Sequence, residues 1–295
     1  MSYAPHEGLV APARASAHPA RLLAGSALTM MLFIGFSFAY SHLHRALVAP
    51  ETWEAIADGS ADGSTAAGVL INLYLFVLLI AALGIAMAMV HGRRIAGLIG
   101  PPALALAQFR KVAVALILLL AALAFVPTGE GPAPAPNMAP GRWLMLLPLG
   151  LAGLVIQTGA EELVFRGYLQ SQLAARFRHP AIWLGLPAAA FGLLHLDPVM
   201  HGADSWLVVI WAFGFGLAAG DLTARSGTLG PAIALHLINN MGAVLIAAPE
   251  GMFDGLALYV YPLAPGDGMG LATWLPVDLM MLACSWLAAR LALRR

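Results

Sequence analysis

The sequence predicts an all-α membrane protein, a polytopic bundle of about eight transmembrane helices. Of its 295 residues, 60% are hydrophobic and only 10% are charged, whereas soluble domains contain about 45–50% apolar and about 25% charged residues. The mean hydropathy is +0.82, so the chain has too few charged groups to cover a soluble surface. These values exclude a soluble enzyme and a disordered chain.

The charge balance gives no reason to expect nucleic acid or another polyanion as a partner. The chain has 15 Lys and Arg residues against 15 Asp and Glu residues, and therefore no strongly basic field. A single cysteine, Cys284, excludes an intramolecular disulfide framework and a cysteine-rich metal site. Because Cys284 lies in an apolar run, we expect a buried packing thiol.

Eight apolar segments are candidates to cross the membrane, since roughly 20 mostly apolar residues span the hydrocarbon core. The third segment has a short apolar core. The fourth is expected to continue past Gly159 into a polar stretch. The eight segments are Leu22–Tyr40, Ala66–Val90, Val112–Val126, Trp143–Gly159, Ala181–Leu196, Trp206–Gly220, Pro231–Ala248 and Leu271–Leu293.

The distribution of basic residues predicts the orientation. With eight spans both termini lie on one side, and that side holds every Lys and Arg except Arg45 and Arg142. The positive-inside rule then places both termini in the cytoplasm of a protein of the cell (plasma) membrane. Residues 127–140, which include five prolines, are expected to form a flexible external loop.

Three polar clusters interrupt the apolar segments of the second half of the chain. Ionisable groups at membrane depth are costly, so each cluster is a candidate functional site. The clusters read GAEELVFRG, with Glu161, Glu162 and Arg166; FGLLH, which ends at His195; and HLINN, with His236, Asn239 and Asn240.

Helix geometry assigns different tasks to the two glutamates. Glu162 and Arg166 are four residues apart, so on a helix they are neighbours and should form an ion pair. Glu161 is rotated by about 100° from Glu162 and faces elsewhere. One carboxylate is thus neutralised locally, while the other is free for chemistry. The competing interpretation is that both glutamates only mark the cytoplasmic end of the fourth span.

The two histidines are ambiguous when each is taken alone. His195, near the end of an apolar span, is more typical of hydrogen-bonded packing than of catalysis. His236 and Asn240 share one helix face, and such pairs also serve as hydrogen bonds between membrane helices. The convergence of a free carboxylate, two histidines and an amide favours a hydrolytic site. Neither an HExxH zinc motif nor a G-x-S-x-G serine motif is present.

In this order, the motifs EExxxR, FxxxH and HxxxN resemble those of the CPBP family. These are the CAAX-prenyl-protease and bacteriocin-processing intramembrane proteases, also called the Abi family, and the resemblance covers about residues 143–248. It implies that Glu161 and His195 activate the hydrolytic water, and that His236 and Asn240 stabilise the oxyanion. It further implies that Glu162 and Arg166 maintain the shape of the site. Geometry does not decide between Asn239 and Asn240, and the family spacing selects Asn240.

The resemblance leaves the cofactor open. Glu161, His195 and His236 are a possible ligand set for Zn²⁺ with an open fourth position, and the family is often described as metalloproteases. An amide is a poor zinc ligand, however, and a glutamate-activated water requires no metal. We therefore favour a site without a stably bound ion.

The leading hypothesis is an intramembrane endopeptidase that cleaves a membrane-associated protein or peptide, prenylated or not, within the lipid bilayer. The alternatives are a non-catalytic scaffold or bacteriocin-immunity protein of the same fold, and a proton-coupled transporter that titrates Glu161, His195 and His236. The predicted organisation is a cytoplasmic tail (1–20), three accessory transmembrane helices (21–142), the catalytic core (143–250), and a final loop and helix (251–295).

Overall fold

The computed structural model describes residues 3–125, 133–261 and 271–294. Almost all regular structure in these ranges is helical, and the predicted fold class is confirmed. The longer helices are α1 (Pro19–Leu47), α2 (Pro50–Ala61), α3 (Ala66–His91), α4 (Pro102–Leu123), α5 (Pro140–Arg176), α6 (Pro180–Leu193), α7 (Ser205–Ser226), α8 (Gly230–Ile246) and α9 (Leu271–Leu293).

Each of the eight apolar segments predicted from the sequence contains a helix, but the helices differ in length. Among the described residues six helices are long and apolar enough to cross a membrane, namely α1, α3, α4, α5, α7 and α9. The remaining two, α6 and α8, are shorter apolar helices. At 1.5 Å per residue the 14 residues of α6 span about 21 Å, which is less than the roughly 30 Å hydrocarbon core. The fourth span does continue past Gly159, to Arg176.

Local chemistry explains where several helices begin and end. Proline, which fits the first turn of a helix because its missing N–H needs no partner there, opens α1, α2, α4, α5 and α6. Thr65 caps α3 by accepting a hydrogen bond from the Gly68 amide. Gly92 and Gly227 follow α3 and α7 in the left-handed conformation that glycine adopts without strain.

Two small elements were not predicted. Helix α2 was missed because it is short and carries Glu51, Glu54 and Asp58 instead of an apolar run. A three-stranded sheet joins β1 (Ala135–Pro136), β3 (Tyr259–Tyr261) and β2 (Ala247–Pro249) in that spatial order, with β1 antiparallel and β2 parallel to β3. Strands this short show no periodicity in a sequence. Strand β1 lies within the predicted flexible loop, of which residues 127–132 are outside the described ranges.

The segment predicted as an N-terminal tail packs against the bundle. Residues 4–16 form three short helical turns, and His6, Leu9 and Ser16 are buried. The Tyr3 hydroxyl donates to Asp221 Oδ1 of α7 at 2.8 Å. At the other end of the segment, Ser16 Oγ lies 2.9 Å from Nδ1 of His91. The segment thus connects α7 to α3 before it leads into α1.

The main core lies between α4, α5, α6, α7 and α8, where Phe165, Phe191 and Phe215 pack against small residues of α7 and α8. The prediction for Cys284 was wrong, because this thiol is exposed on α9. The physical reason is that an apolar helix in a membrane faces lipid as readily as it faces the core, so hydropathy does not reveal burial there.

Candidate active site

The first polar motif lies where α5 changes its helical geometry. Glu161 and Glu162 end the α-helical part of α5, and Leu163–Leu169 continue it as a π-helix. Short π-helical stretches are frequent at functional sites. Glu162 is fully buried, whereas Glu161 keeps part of its surface open. The two adjacent carboxylates therefore have different surroundings.

The predicted ion pair between Glu162 and Arg166 is confirmed. Arg166 Nη1 donates to Glu162 Oε1 at 2.9 Å, and both side chains are almost completely buried. The guanidinium carbon lies 4.5 Å from the centre of the Phe191 ring, and the Phe215 ring is also close. Aromatic faces favour a cation placed over them. The ion pair is thus held in an aromatic enclosure, which compensates part of the cost of burying its charges.

His236 contacts both glutamates, one through each ring nitrogen. Its Nδ1 lies 2.8 Å from Glu162 Oε1, and its Nε2 lies 3.5 Å from Glu161 Oε2. The longer contact is within ion-pair range but is not a hydrogen bond, and Glu161 Oε2 is a buried atom without a hydrogen-bond partner. Buried polar atoms normally have a partner, which can be a water or a ligand. Glu161 Oε2 is therefore an available acceptor beside His236.

His195 follows the end of α6 and is oriented by the backbone. Its Nδ1 lies 2.8 Å from the Phe191 carbonyl oxygen. Since a carbonyl only accepts, Nδ1 carries the proton, and in a neutral ring Nε2 is left as an acceptor. The ring also rests on Phe191, with a centroid distance of 4.6 Å. Phe191, four residues before His195, therefore orients it through both its backbone and its ring.

Asn240 is held between two other amides. Its Nδ2 donates to Gln157 Oε1 at 3.0 Å, and its Oδ1 accepts from Asn239 Nδ2 at 3.2 Å. Gln157 was not identified from the sequence. The available signal was its spacing, because it precedes Glu161 by four residues and so shares its helix face. Thus α5 presents Gln157 and Glu161 to α8, which presents Asn240 and His236 in return.

A cavity of about 520 Å³ adjoins the two predicted water-activating residues. Glu161 and His195 both line it, and its other walls are mostly apolar side chains of α1, α3, α5 and α6, such as Phe33, Phe76 and Leu169. His236 and Asn240 are not among the lining residues. The structure therefore brings Glu161 and His195 to one cavity, places His236 directly behind Glu161, and sets Asn240 one turn further along α8.

The predicted zinc ligands do not form a compact set. Among the described residues, no three His, Cys, Asp or Glu side chains are grouped so that they could hold a metal ion. Glu161 and His236 are neighbours, but His236 Nδ1 is already bonded to Glu162, and the bond found for His195 is to a backbone carbonyl. The arrangement of these side chains does not fit a three-ligand zinc site.

Comparisons with known proteins agree with the motifs. Residues 141–242 match a family model described as type II CAAX prenyl endopeptidase Rce1-like. An uncharacterized protein of Bacillus subtilis (strain 168), YyaK, is 28% identical over 117 residues, which are 39% of this chain. The chain spans about two fifths of the length of that relative. No solved structure matches. The resemblance inferred from the three motifs is confirmed for about a third of the chain, the part that contains them.

Proposed function

We propose that this integral membrane protein is a membrane-embedded endopeptidase that hydrolyses a peptide bond of a membrane-associated protein or peptide. The observation that supports this most is the position of Glu161. Its carboxylate lines an apolar cavity together with His195, and Oε2 lies 3.5 Å from His236 Nε2 without a hydrogen-bond partner. A positioned carboxylate with an open acceptor atom is the group that general-base catalysis requires.

In the proposed reaction Glu161 takes a proton from a water molecule that His195 Nε2 helps to orient. The resulting hydroxide adds to the carbonyl carbon of the substrate and forms a tetrahedral intermediate. The C–N bond then breaks, and the proton held by Glu161 passes to the departing amine nitrogen. One water molecule is consumed, Glu161 is regenerated, and a carboxyl and an amine end are produced.

The negative charge that develops on the substrate oxygen needs hydrogen-bond donors. We assign this task to His236 and Asn240. An imidazolium donates from both nitrogens, so His236 in this form serves Glu162 through Nδ1 and the reacting centre through Nε2.

The walls of the cavity support an apolar substrate. Apart from Glu161 and His195, most of the lining is hydrocarbon or aromatic, which suits apolar side chains or an attached lipid. We propose that the substrate is presented from the bilayer, prenylated or not. We also propose that the protein resides in the plasma membrane with both termini cytoplasmic. Reporter fusions after Arg94 and Arg178 should then read cytoplasmic, and fusions near Glu54 and Asp254 external.

The test is a quantitative comparison of membrane proteomes from cells with the wild type and with Glu161→Gln. We expect at least one protein to be shortened only in the wild type. The matched control is Asp278→Asn, which neutralises an acid of α9 away from the cavity and should leave cleavage intact. Identical cleavage patterns in the presence of folded Glu161→Gln would contradict the proposal. An unchanged phenotype would then favour a scaffold, and solute uptake driven by a pH gradient would favour a transporter.

A further inference from the structure

Gln157 is a buried polar residue that the proposed chemistry does not use. It lies on α5, one helical turn before Glu161, and only 9% of its surface is exposed. Its Oε1 accepts a hydrogen bond from Asn240 Nδ2 across the contact between α5 and α8. One helical turn away, Glu161 and His236 form a second contact between the same two helices. Gln157 is therefore an immediate neighbour of the site through both helices.

The hydrogen bonds around Asn240 match one orientation of its side-chain amide. An asparagine amide has a donating and an accepting end, and both orientations occupy nearly the same space. In the structure Gln157 presents Oε1, which can only accept, and Asn240 Nδ2 lies on that side. Asn239 donates to the opposite end, Oδ1. The two contacts favour the same orientation, and they leave one N–H of Asn240 Nδ2 without a partner among the residues that the structure describes.

We infer that Gln157 is a positioning residue of the hydrolytic site, which orients the Asn240 amide so that its remaining N–H is available to the substrate oxygen. This inference rests on the proposed function for its catalytic consequence. Its structural part, the orientation of Asn240 by Gln157, is independent of which substrate is cleaved. Gln157 itself touches Asn240 and acts through it.

A purely structural role for Gln157 makes a different prediction. If its hydrogen bond only joined α5 to α8, removing it would lower stability, and the kcat of the folded protein would stay unchanged. A residue that acts through Asn240 loses its effect once Asn240 is absent, because coupled residues show non-additive effects. A double-mutant cycle measured in kcat, with stability measured beside it, therefore separates the two roles.

The experiment uses the full-length protein in proteoliposomes and an internally quenched, farnesylated peptide with a C-terminal CAAX sequence as the probe. The variants are Gln157→Met, Asn240→Ala and their double mutant, and methionine keeps the length of the side chain. We expect Gln157→Met to lower kcat by about 10- to 100-fold, as misplaced catalytic groups do, with KM changed by less than about twofold. In the Asn240→Ala background, Gln157→Met should change kcat by less than about twofold.

The matched control is Gln170→Met. Gln170 is also buried on α5, but it bonds to the Gly220 carbonyl, away from the site. This variant should alter stability without a specific fall in kcat. If Gln157→Met behaves like Gln170→Met, or if its effect on kcat is the same with and without Asn240, the positioning role is wrong.

A second readout does not depend on turnover. In ¹⁵N-labelled protein the side-chain amide signal of Asn240, assigned by its loss in Asn240→Ala, should shift in Gln157→Met and exchange its protons faster. An unchanged signal contradicts the inference even if activity falls. If the wild type does not cleave the probe but the Asn240 signal responds, the proposed function fails for this substrate, while the orientation of Asn240 by Gln157 stands.

Discussion

His236 Nδ1 lies 2.8 Å from Glu162 Oε1, and this contact joins α8 to α5 at the centre of the site. The same oxygen accepts from Arg166 Nη1 at 2.9 Å. Glu162 therefore has two tasks. It neutralises Arg166 within its own helix, and it holds the imidazole in the orientation that brings Nε2 towards Glu161.

Glu162→Gln should reduce both the amount of folded protein and the turnover of what folds. Arg166 would remain as an uncompensated charge in an aromatic enclosure, and breaking a buried ion pair costs about 3–5 kcal/mol. The double variant Glu162→Gln with Arg166→Met removes that charge and should recover folded protein, but not full turnover. Fluorescence-detected size exclusion and a cleavage assay measure the two effects separately. Full activity in the double variant would show that the charge of Glu162 does not act on His236.

The sequence predicted the local part of this arrangement well. The Glu162–Arg166 pair follows from a spacing of four residues on one helix, which tertiary structure changes little. The continuation of the fourth span was also foreseeable from the polar motif that follows it. The contact of both glutamates with a single histidine was not predicted, because it depends on how α5 and α8 pack. A rotation of α8 by one residue, about 100°, would direct His236 elsewhere.

The remaining misses share a physical cause. Hydropathy measures the tendency to leave water, and in a bilayer lipid satisfies that tendency as well as a protein core does. Whether Cys284 is buried or exposed could therefore not be inferred from its apolar surroundings in the sequence. The packing of residues 4–16 was missed for the opposite reason, since the segment is only weakly apolar and is fixed by specific contacts such as that between Tyr3 and Asp221. Specific polar contacts of this kind produce no periodic pattern in a sequence.

His236→Ala should lower turnover strongly without changing the metal content of the purified protein. The reason is that His236 is predicted to act as a hydrogen-bond donor, and losing one such donor costs on the order of 10²–10³ in rate. Metal analysis of the wild type and His236→Ala, beside the kinetics of Asn240→Ala, checks this. Stoichiometric zinc that disappears in His236→Ala, with Asn240→Ala nearly normal, would instead establish a zinc site and refute the oxyanion role.

Gly25→Ala should displace α1 from the bundle. Of the residues of α1, only Gly25 and Thr29 are buried, and a Cβ at position 25 would collide with the Tyr168 hydroxyl and lie 2.9 Å from His91 Nε2. Overpacking of this kind costs about 1–3 kcal/mol. Because Thr29 and Phe33 of α1 line the cavity, turnover should fall together with the melting temperature.

Gly35→Ala is the control for this prediction. Gly35 lies on the same helix, and a Cβ there would meet nothing within 4 Å. The substitution should leave turnover unchanged and stabilise α1 slightly, since alanine is the better helix former. Equal melting temperatures and equal turnover for the two variants would show that α1 does not pack against Tyr168 through Gly25.

Acidification should loosen the N-terminal segment through His6. Burial lowers the pKa of His6 to about 4 from its ordinary value of 6.5, and the nearby Glu7 opposes this only partly. The ring rests on Trp183, and its Nε2 lies 3.5 Å from Gln170 Nε2. Neither of these neighbours carries a negative charge that would stabilise the protonated imidazole. Between pH 6.5 and 4 the unfolded chain binds a proton at this position that the folded chain does not, and stability therefore falls as the pH falls.

The expected loss across this range is on the order of 3 kcal/mol, because one pKa unit corresponds to about 1.4 kcal/mol. Melting temperatures measured from pH 7 to pH 4 should drop more steeply for the wild type than for His6→Gln, which keeps a polar group beside Gln170 but does not titrate. His42→Gln changes an exposed histidine of α1 and should follow the wild type. The assignment to His6 is wrong if His6→Gln retains the full pH dependence, because the proton would then bind elsewhere in the chain.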